Sequence, residues 1–231
     1  TMDLRAGSSV LDVAAGNGNA TLAFARGFCE VISTDYVDTL LARGRARAEA
    51  EGQQVAFQIA DAERLPFGDA SFDAVVSTFG VMFTPDQATA ARELLRVCRP
   101  GGKIGMANWT PEGFIGQVFK TLGRHVAPPA GVSSPALWGT KPWIDQHFGP
   151  HASTIAIEGK AFVFRYKSPD HFMDVFRGYY GPVHKAFLSL DAAGQAALAK
   201  DLQATIASFN TATDGSMRVP SAYSEIVITR K

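Results

Sequence analysis

The stretch VLDVAAGNGN at residues 10–19 decides the fold of this chain. The three aliphatic residues among its first four positions supply a buried strand, and Asn19 can begin a helix. Gly16 and Gly18 allow positive φ and leave no Cβ to obstruct a ligand. The free N–H groups of the helix point back at this turn. A strand, a glycine turn and a helix in this order predict a corner that binds a nucleoside-bearing cofactor.

The composition predicts a globular chain with an ordinary core. Of the 231 residues, 46% are hydrophobic and 19% are charged. The 22 basic residues balance the 22 acidic ones, and the absence of a basic stripe argues against nucleic acid as a partner. Two cysteines and no apolar run of membrane-spanning length favour a cytoplasmic protein without membrane insertion.

Residues 1–108 alternate between strand and helix patterns. Strands are predicted at 9–14, 30–34, 55–59, 72–77 and 103–108, and helices at 19–26, 37–51 and 86–98. The sequence PGG at residues 100–102 should end the last of these helices. This alternation predicts an α/β fold with a parallel sheet and helices on both faces.

Residues 109–231 have a different pattern. Helices are predicted at 114–126, 143–148, 169–188 and 192–209. A strand over 154–166 should be interrupted around Gly159, and a closing strand is predicted at 223–229.

Acidic residues lie at or near the ends of the first three strands. Asp35 follows the second strand and Asp61 the third, while Asp12 lies inside the glycine motif. In open α/β sheets, ligands bind beyond the carboxyl ends of the strands. A carboxylate at Asp35 could accept hydrogen bonds from both hydroxyls of a ribose, and one at Asp61 from the exocyclic amine of an adenine. A single acidic residue of this kind is more often a turn or capping residue, but three of them in register with a glycine turn favour ligand binding.

Five segments in this order resemble the class I S-adenosylmethionine (SAM)-dependent methyltransferases, most of all the small-molecule branch with the ubiquinone and menaquinone C-methyltransferases. The segments are residues 10–18, Asp35, Asp61-Ala62, FDAVV at 72–76 and LRVCRPGG at 95–102. The resemblance implies one methyltransferase domain over 1–231, with a SAM-binding half at 1–108 and a substrate-side extension at 109–231. It implies a Rossmann-like, doubly wound sheet of seven strands, mostly parallel, with an antiparallel last strand. The family usually has helices before the first strand that cover the cofactor, where this sequence has residues 1–8.

The resemblance also implies which residues contact the methionine part of SAM. Gly16 and Gly18 would let the backbone approach it, and Asp12 would orient it through water. Ser77 would help to fix the ammonium group. Ala14 belongs to the same set of cofactor-binding positions.

On the adenosine side, the resemblance assigns Asp35 to the ribose hydroxyls and places Tyr36 beside the adenine. Asp61 would accept from the adenine amine, and the Ala62 N–H would meet a ring nitrogen. The product would be S-adenosylhomocysteine.

The acceptor is predicted to be a small molecule, apolar or aromatic, bound by residues near strand ends and in the extension. The candidates are Phe79, Met82, Phe83, Trp109, Tyr179 and Tyr180, each of which could instead be core. His184 is the candidate for a general base, with a surface or capping role as its alternative. No metal site is predicted, because no His, Cys and Asp cluster has ligand spacing. The oligomeric state and the acceptor atom stay open.

Two other functions remain. The glycine turn and ribose acid also occur in NAD-dependent oxidoreductases, although Thr21 replaces the third glycine of that fingerprint. A regulatory protein that binds SAM without catalysis is the second alternative.

Overall fold

A computed structural model of the chain describes residues 2–231. Within them, seven strands form one mixed sheet in the order β3-β2-β1-β4-β5-β7-β6. The strands are β1 (Ser9–Val13), β2 (Glu30–Asp35), β3 (Ala56–Ile59), β4 (Phe72–Thr78), β5 (Cys98–Trp109), β6 (Ala152–Tyr166) and β7 (Met217–Arg230). The helices are α1 (Asn19–Arg26), α2 (Asp38–Ala50), α3 (Gln87–Val97), α4 (Phe114–His125), α5 (Lys141–Phe148), α6 (Pro169–Tyr179), α7 (Gly181–Leu188) and α8 (Ala192–Phe209). The predicted fold class is confirmed: β1 to β5 are parallel, and the last strand in the chain, β7, is antiparallel to its neighbours β5 and β6.

The parallel strands bring their carboxyl ends to one edge of the sheet. Leu11 of β1 lies opposite Ile32 on one side and Val75 on the other, and both Leu11 and Val75 are fully buried. Strands buried on both faces need continuous apolar runs, which is what these segments contain. We call the residues at and just beyond the ends of these strands, 14–18, 35–37, 60–62 and 77–80, the carboxyl edge.

The described residues group into two compact units. The first holds the residues up to Asn108 together with Thr140–Glu158 and Ser224–Lys231, and the second holds Trp109–Gly139 and Gly159–Tyr223. The first boundary coincides with the one predicted at 108/109, but the chain returns to the first unit twice. A single domain over 1–231 stays a prediction.

The prediction of one continuous helix over 169–188 is wrong, because the structure has two helices there. α6 ends at Tyr179, and Tyr180 takes an extended conformation at φ −91° and ψ 107°. Pro182 then lies in the first turn of α7. A proline in a continuous helix would remove a hydrogen bond and clash with the carbonyl four residues earlier, so the chain starts a new helix instead.

Three strands also differ from the prediction. β5 begins at Cys98 rather than 103 and passes through a register shift opposite Phe72 and Ala74. At Gly102 a Cβ would lie 2.8 Å from the Asp73 carbonyl oxygen, so this irregular segment needs a glycine. β6 runs unbroken through Gly159, and β7 is longer than 223–229.

Within residues 2–231, no helix is both long enough and apolar enough to cross a membrane.

Candidate functional site

The glycine turn after β1 is closed by backbone hydrogen bonds. The Ala15 N–H donates to the Thr34 carbonyl at 2.9 Å, and the Gly18 N–H donates to the Ala15 carbonyl at 3.0 Å. Gly16 and Gly18 both have positive φ, at 58° and 82°. The conformation predicted from the two glycines is therefore present, and α1 begins directly after it.

Two residues of α2 support this turn from behind, and the sequence interpretation missed both. Gly44 lies so close that an added Cβ would stand 3.4 Å from the Asn17 carbonyl carbon. Arg47 donates from Nη1 to the Asn17 carbonyl at 2.7 Å and to the Asn19 Oδ1 at 2.8 Å. A glycine inside a helix was the available signal, because it often marks close packing of a second backbone.

Asp35 uses both carboxylate oxygens to shape the carboxyl edge. Its Oδ2 accepts from the Gly16 N–H at 2.8 Å, and its Oδ1 accepts from the Val37 N–H at 2.9 Å. The side chain is nearly buried, with 5% of the residue exposed. Each carboxylate oxygen has two lone pairs, so each can still accept one more hydrogen bond. Asp35 is thus a structural tether that retains the acceptor capacity a ribose would need.

Asp12 lies at the centre of a buried polar network beneath α1. The Thr21 hydroxyl contacts the Asp12 Oδ2 at 2.6 Å and the Ser33 hydroxyl at 2.9 Å. Asp12 is fully buried, and no group within residues 2–231 forms a hydrogen bond with its Oδ1. Burial raises the pKa of Asp12 to about 7, against the hydrogen bonds from Thr21, and the negative charge of Asp35 adds to the rise. The sequence interpretation noted Thr21 only as the replacement for the third glycine of the dinucleotide fingerprint. In the structure its hydroxyl forms a hydrogen bond with the Asp12 carboxylate.

Ser77 joins two strand ends. Its hydroxyl donates to the Val13 carbonyl at 2.7 Å and accepts from the Val81 N–H at 3.0 Å. The residue is buried. The hydroxyl's single proton is therefore committed to the fold, and one lone pair is left for a ligand.

The carboxyl edge is strained where β1 and β4 end. Ala14 has φ 53° and Phe79 has φ 54°, in the left-handed region that residues with a side chain rarely occupy. A Cβ added at Gly80 would overlap the Ala14 carbonyl oxygen and lie 2.8 Å from the Ala14 Cβ. Strain of this kind persists only where the surroundings enforce it, and it clusters at functional sites.

The residues predicted on the adenine side lie after β2 and β3. Tyr36 is 71% exposed, and Asp61 is also exposed. The Asp61 Oδ1 accepts from the Glu63 N–H at 2.9 Å. Ala62 is buried. The structure thus brings the predicted cofactor residues of β1, β2, β3 and β4 to the same edge of the sheet.

The predicted acceptor residues are divided between the two units. In the first unit Met82 is fully buried, whereas Phe83 is 36% exposed. Trp109 belongs to the second unit, where its ring lies 5.8 Å from that of Phe164. Tyr180, also of the second unit, lies 4.7 Å from the ring of Phe176.

Trp109 and Tyr180 belong to a larger aromatic cluster of the second unit. The cluster contains Trp109, Phe114, Phe162, Phe164, Tyr166, Phe172, Phe176, Tyr180, Phe209 and Tyr223. Phe164 lies at its centre, with ring contacts to five other members. The packing favours a core role for Trp109 and Tyr180, whereas Tyr179 is exposed.

His184 is exposed, with its Nδ1 2.9 Å from the Arg177 carbonyl oxygen. If Nδ1 carries the proton in that contact, Nε2 is left as the basic nitrogen. Among residues 2–231, no three His, Cys, Asp or Glu side chains come together in a group that could hold a metal ion.

Comparison with known proteins identifies relatives of this chain. Residues 11–106 match the family described as "Methyltransferase domain". The chain is 43% identical to the uncharacterized protein Rv1403c of Mycobacterium tuberculosis over 193 residues, which are 82% of this chain and 70% of that protein.

A second relative carries a functional name. The demethylmenaquinone methyltransferase of Thermus thermophilus is 38% identical over 132 residues, 55% of this chain and 60% of that enzyme. Among solved structures, the YcgJ protein from Bacillus has a TM-score of 0.65 at 21% identity, covering 100% of this chain and 95% of the other. At that identity, the structural likeness shows the fold alone.

Proposed function

We propose that this chain, which belongs to the class I SAM-dependent methyltransferases, binds SAM along the carboxyl edge and transfers its methyl group to a small apolar or aromatic acceptor. The observation that carries the proposal is the tether between Gly16 and Asp35. It joins the turn on which the methionine part of SAM would lie to the acid that would receive the ribose.

The cofactor fits the polar groups that the edge offers. The remaining lone pairs of Asp35 would accept from the two ribose hydroxyls, and the exposed ring of Tyr36 would cover one face of the adenine. Asp61 would accept from the adenine amine, and the Ala62 N–H would donate to a ring nitrogen. Asp35 is the last residue of β2, Tyr36 follows it, and Asp61 and Ala62 follow β3.

The methionine part would lie against the glycine turn. The positive φ of Gly16 and Gly18 and their missing side chains leave the backbone accessible there. Asp12, held by Thr21, would act through water on the ammonium group, and Ser77 and Ala14 would shape the end of the site. SAM supplies a methyl group on a cationic sulfonium, which is already activated. The residues of the chain therefore need mainly to position the acceptor and exclude water.

The acceptor class rests on the relatives and on aromatic residues. The Thermus relative is named for a demethylmenaquinone, which supports a planar ring compound as the acceptor. Phe79 belongs to the carboxyl edge and the partly exposed Phe83 follows it in the chain, and these two are the proposed contacts in the first unit. Trp109, Tyr179 and Tyr180 remain predictions, as does His184 as the base. The two buried, unpaired cysteines agree with the proposed cytoplasmic location.

Calorimetric titration of the purified chain with SAM, S-adenosylhomocysteine and NADH tests the cofactor. We expect micromolar dissociation constants for the first two and no heat from the third. Asp61→Asn should weaken SAM binding about tenfold, the equivalent of one charged hydrogen bond. Asp214→Asn is the matched control, since Asp214 is an exposed aspartate whose Oδ1 accepts hydrogen bonds from its neighbour Ser216. Binding of NADH instead of SAM would favour an oxidoreductase and overturn the proposal.

Transfer is tested separately with SAM carrying a radiolabelled methyl group. The acceptors are a reduced 1,4-naphthoquinone with an open ring position, a catechol and an aliphatic amine. We expect label in the naphthoquinol product. SAM binding without transfer to any acceptor would favour the regulatory alternative.

A further inference from the structure

The segment between β3 and β4, residues 60–71, carries Asp61 and Ala62 but contains neither an α-helix nor a strand. Such a segment has polar backbone groups that no regular ladder satisfies. Here two side chains of α3, Glu93 and Arg96, bind them. We call residues 61–70 the adenine loop, because the proposed adenine contacts lie at its start.

Arg96 binds the adenine loop with its whole guanidinium group. Nη1 donates to the Phe67 carbonyl at 2.7 Å and to the Asp69 Oδ1 at 2.9 Å, and Nη2 donates to the Leu65 carbonyl at 2.9 Å. The two remaining N–H groups donate to the oxygens of Glu93, at 2.7 and 2.8 Å. All five donors of the arginine are therefore used, and three of them hold the loop.

Glu93 also binds the adenine loop, through its carboxylate. Its Oε2 accepts from the Leu65 N–H at 2.7 Å, so Leu65 is held through both of its backbone polar groups. The hydrogen bonds that Arg96 donates to Glu93 lower the pKa of Glu93 and raise the pKa of Arg96. Both residues are charged at neutral pH. Their side chains are only 16% and 30% exposed, so this ion pair is less screened by water than an ordinary surface pair.

The rest of the loop is fixed at both ends. Near its start, the Glu63 carboxylate accepts from the Asp86 N–H, which precedes α3, at 2.7 Å. At its end, the Ala70 N–H donates to the Arg96 carbonyl at 2.9 Å. The Leu65 side chain is buried. The loop therefore lies along α3 in one conformation set by that helix.

We propose that Glu93 and Arg96 are positioning residues for cofactor recognition, which set the distance between Asp61 and the adenine amine by holding the adenine loop on α3. This inference rests on the proposed function. Neither side chain need touch the cofactor. A lysine at 96 would keep the charge but provide a single nitrogen in place of the planar fork, and could not hold two carbonyls and two carboxylates together.

The experiment compares Arg96→Lys and Glu93→Gln with Arg92→Lys. Arg92 lies on the same helix and is exposed, and its recorded hydrogen bond is to Thr89 one turn away. Each protein is titrated with S-adenosylhomocysteine and with S-inosylhomocysteine, in which a carbonyl replaces the adenine amine. We expect Arg96→Lys to weaken S-adenosylhomocysteine binding about tenfold, the loss of one charged hydrogen bond. The affinity for S-inosylhomocysteine should change less than about twofold, since this ligand never had that hydrogen bond. Arg92→Lys should change the affinity for neither ligand.

Equal weakening of both ligands in Arg96→Lys would indicate general loss of structure and overturn the inference, as would an unchanged affinity in a folded variant. If Arg96→Lys fails to fold, the same two titrations of Glu93→Gln test the inference. The glutamine loses the charge but can still accept from the Leu65 N–H. A wild type that binds neither ligand would overturn the proposed function itself. A wild type that binds S-adenosylhomocysteine with unaffected variants would overturn this inference alone.

Discussion

Asp12→Asn removes a fully buried carboxylate and leaves a side chain of nearly the same shape. In the wild type, burial raises the pKa of this carboxyl from 3.8 to about 7. The native state therefore holds a proton that the unfolded chain has lost between about pH 4 and pH 7. The stabilising contribution of Asp12 is complete below pH 4 and is lost as the pH rises to 7. A rise of this size corresponds to about 4 kcal/mol.

Asparagine is uncharged throughout this range and resembles the protonated carboxyl. The stability of Asp12→Asn relative to the wild type should therefore increase by about 4 kcal/mol between pH 4 and pH 8, with a slope of about 1.4 kcal/mol per pH unit. Urea unfolding of both proteins at several pH values measures this difference, and the titration of groups that do not interact with Asp12 cancels in it.

Asp214→Asn provides the control for this pH series. Asp214 is exposed, and hydrogen bonds from Ser216 lower the pKa of its carboxyl. Its contribution is present above its unfolded pKa and is lost only as the solution becomes acidic. The stability of Asp214→Asn relative to the wild type should thus be constant from pH 5 to pH 8. A constant relative stability of Asp12→Asn over the same range would refute the reasoning, because it would mean that Asp12 ionises normally inside the fold.

Two further changes test the carboxyl edge, both by urea unfolding at neutral pH. Gly80→Ala should destabilise the chain by about 3 kcal/mol, because its Cβ would overlap the Ala14 carbonyl. Gly123→Ala, in α4 where a Cβ meets nothing within 4 Å, should instead stabilise by roughly 0.5–1 kcal/mol, and a loss at both sites would contradict the steric argument. Asp35→Asn should cost about 2 kcal/mol, because its amide group can accept from only one of the two N–H groups that Asp35 binds, and an unchanged stability would show that the tether to Gly16 is not needed.

Much of the first unit could be predicted from the sequence because its signals are local. The strand, turn and helix at 9–26 follow from neighbouring residues whose backbone preferences agree with the fold. The ends of parallel strands must meet at one edge, so Asp35 and Asp61 could be placed together without knowledge of packing.

The remaining features depend on residues far apart in the chain. The support of Asn17 by Arg47 and the binding of the adenine loop by Arg96 have no local pattern, because each is a side chain reaching a backbone carbonyl elsewhere. The aromatic cluster is similar. Its members were visible as aromatic residues, but only the packing around Phe164 separates Trp109, in the core, from the exposed Tyr179.

Asp35 explains why the proposed cofactor contacts could be predicted from the sequence and the acceptor contacts could not. This residue is at once a tether for the turn and the proposed ribose ligand, so the contacts that form the corner also build the proposed cofactor site. Its two backbone hydrogen bonds hold the carboxylate in place before any ligand arrives, so little ordering entropy is lost on binding. An acceptor site has no such link to the backbone of a strand end. Its side chains can change while the sheet stays intact, and the same fold can therefore serve many acceptors.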